Sequence, residues 1–158
     1  MKIYNKVGKL LFKVPGNTLS YARLRLANLY KANLHKANLS KADLSGTCLD
    51  PKNPIPEIKT EEIIDAGLQI DDDNDAYVIG WRTAVSQHCG DTIYASGKTY
   101  TAPWFSVSST ECHPGLYLAG EAWLAESYSD VKTIRVRCLR SDLHKAGNKW
   151  RCRKLEVL

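Results

Sequence analysis

Residues 22–50 read ARLRLANLYKANLHKANLSKADLSGTCLD, and every fifth residue from Leu24 to Leu49 is leucine. A helix repeats about every 3.6 residues and a strand about every 2, so neither keeps leucines at this spacing on one face. Steps of five residues advance about 500° around a helix, which would distribute the leucines around its axis. The spacing instead predicts a chain that turns a corner every five residues and points each leucine inward.

A second regularity accompanies the leucines. Small residues lie two positions before most of them, at Ala22, Ala27, Ala32, Ala37, Ala42 and Thr47, and the position between holds Asn28, Asn33, Asn38 and Asp43. The pattern resembles the A-(N/D)-L-x-x motif of the pentapeptide-repeat family. The resemblance implies a short right-handed quadrilateral β-helix, in which residues twenty apart stack about 4.8 Å from each other.

The repeats span residues 17–50, which is fewer than two full turns of such a coil. Alternating runs on either side of Gly8 predict an N-terminal hairpin that caps the first coil. Stacked repeats bury their apolar faces only against neighbours, so something must cover the far edge. Either the rest of the chain or a second copy can do so, and we expect a homo-oligomer.

The sequence predicts three regions. Residues 1–50 form the hairpin cap and the β-helix, residues 51–75 a proline-rich linker with a short helix and an acidic turn, and residues 76–158 a small α+β domain. The predicted fold class is mainly β with an α+β C-terminal part, whose predicted strands include residues 92–96, 104–108 and 149–158. The short helix is predicted to have Thr60 as its N-cap and to stop at Gly67. The acidic turn, Asp71–Asp75, fails the calcium-loop pattern because Ala76 and Arg82 replace the required Gly and Glu.

Bulk features indicate a cytoplasmic protein. No apolar run approaches the ~20 residues of a membrane span, and the first residues lack the pattern of a signal peptide. Five cysteines, without C-x-x-C spacing, predict buried reduced thiols. The pairs His88–Cys89 and Cys112–His113 lack known zinc spacings, so we expect no metal and no cofactor.

Charge is unevenly distributed along the chain. Residues 1–49 carry nine Lys/Arg and one acid, residues 50–130 four and fourteen, and residues 131–158 nine and two. This asymmetry indicates contact between oppositely charged parts, a polyanionic partner, or a solvated surface. A basic patch is predicted on the terminal strands at Arg135, Arg137, Lys149, Arg151 and Arg153, because alternation places Arg135 with Arg137 on one strand face and Arg151 with Arg153 on another. Trp150 alone could stack on bases there, so we do not expect nucleic acid to bind, although this remains an alternative.

Residues 76–158 resemble a domain of phage and prophage proteins that has no assigned reaction. The resemblance depends on Cys112, Gly115, Leu116 and Tyr117, followed by an aromatic-containing helix, and on a terminal strand with Trp150, Arg151, Arg153, Leu155 and Val157. It implies a phage or prophage setting for this chain.

The stretch Gly115-LYLAGEAWLAESY also resembles the strand and helix of ADP-ribosyltransferases. That resemblance implies a nucleotide site, with Arg82 binding phosphate and Trp81 and Tyr117 stacking on the ligand. The family places a glutamate on a late strand, where this chain has Lys149, so a shared fold would be degenerate.

Three functions follow from these patterns. The first is a non-enzymatic interaction or scaffold protein, in which the β-helix assembles copies and the C-terminal domain binds an unidentified protein partner. The second is a nucleotide-binding, ADP-ribosyltransferase-like domain acting in phage–host conflict. The third is nucleic-acid binding through the basic terminal hairpin.

Overall fold

The structure, a computed structural model, describes residues 2–4, 10–13, 18–25, 27, 29, 38–86, 92–109 and 113–158. Contacts divide the chain into two compact units. The repeat unit comprises Met1–Pro54 and Trp104–Pro114, and the C-terminal unit comprises Ile55–Pro103 and Gly115–Leu158. The sequence-based division instead placed residues 104–114 in the last of its three regions.

The described part of the chain is mainly β with short helices, which confirms the coarse prediction. The strands are β1 Lys2–Tyr4, β2 Leu10–Lys13, β3 Gln69–Ile70, β4 Tyr77–Thr83, β5 Thr99–Thr101, β6 Leu116–Leu118, β7 Thr133–Leu139, β8 His144–Ala146, β9 Lys149–Cys152 and β10 Lys154–Val157. The helices are α1 Thr60–Asp65, α2 Glu121–Ser127 and a 3₁₀ turn at Arg140–Asp142.

The repeat leucines form the core of the repeat unit. They are at most 5% exposed, and their cluster contains Ile3, Leu19, Leu24, Leu29, Leu39, Leu44 and Leu49. Leu34 lies outside the described residues. Small side chains at positions such as Ala22 and Ala42 pack against the cluster, as the pattern predicted.

Residues twenty apart are neighbours in this unit. Arg23 forms a parallel bridge with Asp43. The Leu24 amide donates to the Asp43 carbonyl over 2.9 Å, and the Asp43 amide donates to the Ala22 carbonyl over 2.9 Å. Successive passes of the chain are therefore joined by backbone hydrogen bonds with the period that the resemblance implied.

Each corner is a β-turn that starts at a leucine. The Ala22 amide donates to the Leu19 carbonyl, and the same bond recurs every five residues where the turn is described. The third residue of such turns has a left-handed backbone, with φ of 60° at Tyr21, 58° at Lys41 and 69° at Gly46. Small residues suit the fourth position because this part of the chain packs inward.

The Asn/Asp position stabilises the next corner. Its side-chain oxygen accepts the amide two residues later, as Asn38 does from Ser40 over 2.9 Å and Asp43 from Ser45 over 3.1 Å. Short polar side chains make this local bond readily, which explains their recurrence before the leucine. Hydrogen bonds from Ser45 also lower the pKa of Asp43, with smaller contributions from Arg25 and Arg23.

Two further segments complete the repeat unit. Strands β1 and β2 form the predicted antiparallel hairpin, whose turn at Gly8 lies outside the described residues. Trp104 packs against the leucine cluster, and the Val107 amide donates to the Cys48 carbonyl over 2.9 Å. Residues 104–108 were predicted to be a strand of the C-terminal domain, which is wrong: they are irregular and contact the last repeat.

The C-terminal unit is built from two sheets in its described part. One has the strand order β3-β4-β7-β10-β5 and the other β6-β9-β8, with antiparallel pairing throughout. Strand β4 also exchanges two backbone hydrogen bonds with Ala119, immediately after β6. Their shared core includes Val78, Val136, Trp150 and Leu155.

Several local predictions for this unit need correction. The predicted strand 92–96 is reduced to one bridge at Ile93. Residues 149–158 form two strands in different sheets, because the chain leaves the ladder at Arg153. Helix α1 is capped by Lys59 rather than Thr60, whereas its predicted stop at Gly67 is confirmed by φ of 70°.

Candidate functional site

Trp81 and Arg82 are adjacent on β4, so their side chains point to opposite faces of the sheet. Trp81 is 7% exposed and packs with Ala119 and Leu124, and helix α2 covers this face. The Arg82 guanidinium carbon lies 3.4 Å from the centre of the Tyr94 ring. The two residues therefore cannot contact one ligand together.

Tyr117 lies on β6. In the three-stranded sheet it is paired with Arg151, which is paired in turn with His144, so the three form one cross-strand row. The Arg151 Nε donates to the Tyr117 hydroxyl over 3.1 Å, and Arg151 is fully buried. Because Trp81 and Arg82 point to opposite faces of β4, the three predicted residues do not all line one cleft.

The five predicted basic residues occupy different environments. Arg151 is in the row just described. Arg137 binds Glu156 over 2.9 Å and Asp71 over 3.3 Å, and the bond to Glu156 raises the pKa of Arg137. The Lys149 ammonium lies 5.4 Å from the centre of the Trp123 ring. Arg137, Lys149 and Arg151 therefore make their contacts with side chains of the C-terminal unit itself.

Arg135 and Arg137 do share one face of β7, as alternation predicted. They line a groove of about 340 Å³ together with Gln69, Ile70, Asp71, Asp72, Asp73, Ile79 and Leu158. Because aspartates and arginines face each other across it, the groove carries both charges. Trp81, Arg82 and Tyr117 do not line this groove.

Arg153 lies where β9 passes into β10, and Asp142 holds this junction. One Asp142 carboxylate oxygen accepts the amides of Arg153 over 2.7 Å and Lys154 over 3.0 Å. The other oxygen lies 3.8 Å from the Arg153 Nε. The carboxylate thus satisfies two backbone donors at the break between the sheets.

Replacing Asp142 should test this junction. Asp142→Ala removes the acceptor of two backbone amides and should lower the free energy of unfolding by about 2 kcal/mol, whereas Asp142→Asn retains an acceptor oxygen and should cost less.

Burial raises the pKa of Asp142. The folded state therefore binds its proton more tightly than the unfolded state, and this contribution to stability declines as pH rises through the raised pKa. In urea unfolding, the free energy of the natural protein minus that of Asp142→Asn should decline between about pH 3 and pH 7, because the other titrating groups are common to both proteins.

The exterior of the repeat unit is basic where it is described. Tyr21 is 67% exposed, and the Lys41 ammonium donates to its hydroxyl over 2.9 Å. Arg23 and Arg25 flank Leu24 and are also exposed. We call the surface formed by Tyr21, Arg23, Arg25 and Lys41 the basic face.

A buried polar cluster lies at the last repeat. His113 Nδ1 is 3.1 Å from the Ser106 hydroxyl and 4.0 Å from the Cys48 sulfur. The Ser108 amide donates to the Ser106 hydroxyl over 3.1 Å. Ser106 and His113 both belong to the segment that follows Trp104, so their contact joins two parts of that segment. The contacts of His113 and Val107 with Cys48 join the segment to the last repeat.

The expectation that the Cys and His pairs bind no metal cannot be compared with the structure in full, because His88, Cys89 and Cys112 lie outside the described residues. Within the described ranges, no three His, Cys, Asp or Glu side chains are grouped as metal ligands would be. Cys138 and Cys152 are buried thiols, and burial raises the pKa of Cys152. No helix among the described residues is long and apolar enough to span a membrane.

Comparison with known families matches residues 16–49 to pentapeptide repeats, in eight copies. The match confirms the resemblance of this region, where the buried leucines and the twenty-residue pairing are found. Comparison with curated proteins and with solved structures gave no match. The phage and ADP-ribosyltransferase resemblances of residues 76–158 therefore stay predictions.

Sequence reasoning missed two features of the repeat unit. The contact between Tyr21 and Lys41 could have been predicted, because the residues are one coil period apart. The cluster of Cys48, Ser106 and His113 had no such signal, because it joins residues 65 positions apart.

Proposed function

We propose that the protein is a non-enzymatic interaction protein. Residues 16–49 form a short right-handed quadrilateral β-helix that assembles copies of the chain, and the C-terminal unit binds a protein partner. A phage or prophage setting belongs to the same proposal and depends only on the sequence resemblance of residues 76–158.

The observation that carries the proposal is the in-register pairing of Arg23 with Asp43. Backbone pairing between stretches twenty residues apart, together with the buried leucine cluster, should hold this unit rigid. Its outward side chains would then keep fixed positions. Rigid surfaces lose little conformational entropy on association, which favours their use in binding.

The leucine cluster already has contacts with other segments of the chain, because Ile3 from the hairpin and Trp104 from the later segment both pack against it. We therefore assign assembly through this unit to its exposed outer side chains, which include the basic face. We do not propose nucleotide binding here, because Trp81 and Arg82 point to opposite faces of β4 and cannot both contact one ligand.

Light scattering coupled to size-exclusion chromatography tests assembly. In a low-salt buffer we expect the weight-average mass to rise above the chain mass of 17.7 kDa as the protein concentration increases. A mass that stays at the monomer value at the highest attainable concentration would contradict the proposal.

A further inference from the structure

The basic face is an exposed surface with excess positive charge. In the described part of residues 2–45 the exposed charged side chains are five cations, Lys2, Lys13, Arg23, Arg25 and Lys41, and one carboxylate, Asp43. Tyr21 adds an exposed aromatic ring next to Lys41. A cationic surface with an aromatic ring suits a carboxylate-rich partner that also offers an apolar contact.

The C-terminal unit offers such a surface. Residues 57–75 expose seven carboxylates, at Glu57, Glu61, Glu62, Asp65, Asp72, Asp73 and Asp75, against one exposed cation, Lys59. Helix α1 contacts β3, and the acidic turn follows β3 directly, so the helix and the turn are neighbours. Ile64, at 60% exposed, supplies an apolar side chain within this acidic surface.

We propose that the basic face of one copy docks on the acidic surface of residues 57–75 of a second copy. The inference rests on the proposed assembly function and names its partner surface. Both surfaces are exposed within a single chain, and their charges are opposite. A nucleic acid would satisfy the basic face alone and leave the acidic surface without a counter-charge.

Docking of two different surfaces has a structural consequence. Such a contact is head-to-tail, so each added copy presents a new free surface of each kind, and assembly continues into chains unless a ring closes. The contact is electrostatic and exposed to solvent at its rim, so it should weaken strongly with salt.

Salt dependence is the first measurement. The Debye length, over which salt screens charges, falls from about 10 Å at about 0.1 M salt to about 3 Å at about 1 M. We expect the mass measured by light scattering to fall to the monomer value over this range. An assembly that is unchanged at high salt would overturn the inference while leaving the proposed assembly function intact.

Matched neutralising variants locate the contact. Arg23→Gln with Arg25→Gln on the basic face, or Glu61→Gln with Glu62→Gln on α1, should each weaken association about tenfold or more. The controls, Lys132→Gln with Lys154→Gln and Glu121→Gln with Glu126→Gln, change net charge equally at exposed positions elsewhere. Equal weakening in variants and controls would show a general charge effect and overturn the assignment.

Mixing the two variants gives the decisive result. Each variant retains one natural surface. At a concentration where each variant alone is monomeric, the mixture of the basic-face and α1 variants should therefore form a two-chain complex and nothing longer. Circular dichroism first establishes that both variants are folded. A mixture that stays monomeric, or a natural protein that binds RNA at low salt without self-association, would overturn the inference.

Discussion

Leu39→Ala should lower the free energy of unfolding by about 3 kcal/mol, because it removes a fully buried side chain from the leucine cluster of the repeat unit. Neighbouring leucines are held in place by backbone bonds between coils, so they cannot fill the space. Urea unfolding followed by far-ultraviolet circular dichroism measures the loss. Hydrogen exchange at the Leu24 and Asp43 amides, which bond between coils, should accelerate in the same variant.

The matched control is Leu10→Ala on strand β2 of the same unit. Leu10 is 40% exposed, so truncation removes less buried surface and should cost less than about 1 kcal/mol. Equal losses in the two variants would mean that the repeat leucines are not enclosed. That result would remove the physical basis of the coil.

The repeat was predictable because its chemistry is local. Leucine, the small residue and the Asn/Asp position each have a role within one turn, such as the bond from Ser40 to Asn38. The local turn geometry of a short motif that recurs at a fixed period can therefore be predicted from the sequence. The twenty-residue pairing, seen between Arg23 and Asp43, was implied by the resemblance to pentapeptide repeats.

The association of residues 104–114 with the repeat could not be predicted in the same way. WFSVS alternates apolar and polar residues as an edge strand would, and the alternation indicates nothing about which unit Trp104 joins. The bond between Val107 and Cys48 links distant parts of the chain. Only the open edge of a short coil indicated that either the rest of the chain or a second copy had to cover it.

The predicted basic patch shows a related limit of pattern reasoning. Strand alternation correctly placed Arg135 and Arg137 on one face, where they line the same groove. Alternation does not indicate which face is covered, and Arg151 is buried beside Tyr117. The break between strands β9 and β10 at Arg153 could not be predicted either. It depends on the carboxylate of Asp142, eleven residues earlier, which accepts the Arg153 amide.

Gly120→Ala should destabilise the C-terminal unit by about 3 kcal/mol or more, although the backbone of Gly120 is ordinary, with φ of −63°. A methyl group there would overlap the carbonyl oxygen of Ala66, at the end of α1, and would lie 3.1 Å from the Gly67 Cα. These are backbone atoms, which cannot move aside as a flexible side chain would. Thermal unfolding by circular dichroism measures the effect.

Gly97→Ala separates this overlap from the conformational cost of losing a glycine. Gly97 has φ of 71°, and a methyl group there would meet no atom within 4 Å. Its substitution should cost about 1 kcal/mol through backbone strain alone. A larger loss at Gly97 than at Gly120 would contradict the close approach of the α1 terminus to the start of α2. Close approach would then no longer explain why a glycine precedes α2, and the packing that aligns α2 beneath Trp81 would need another cause.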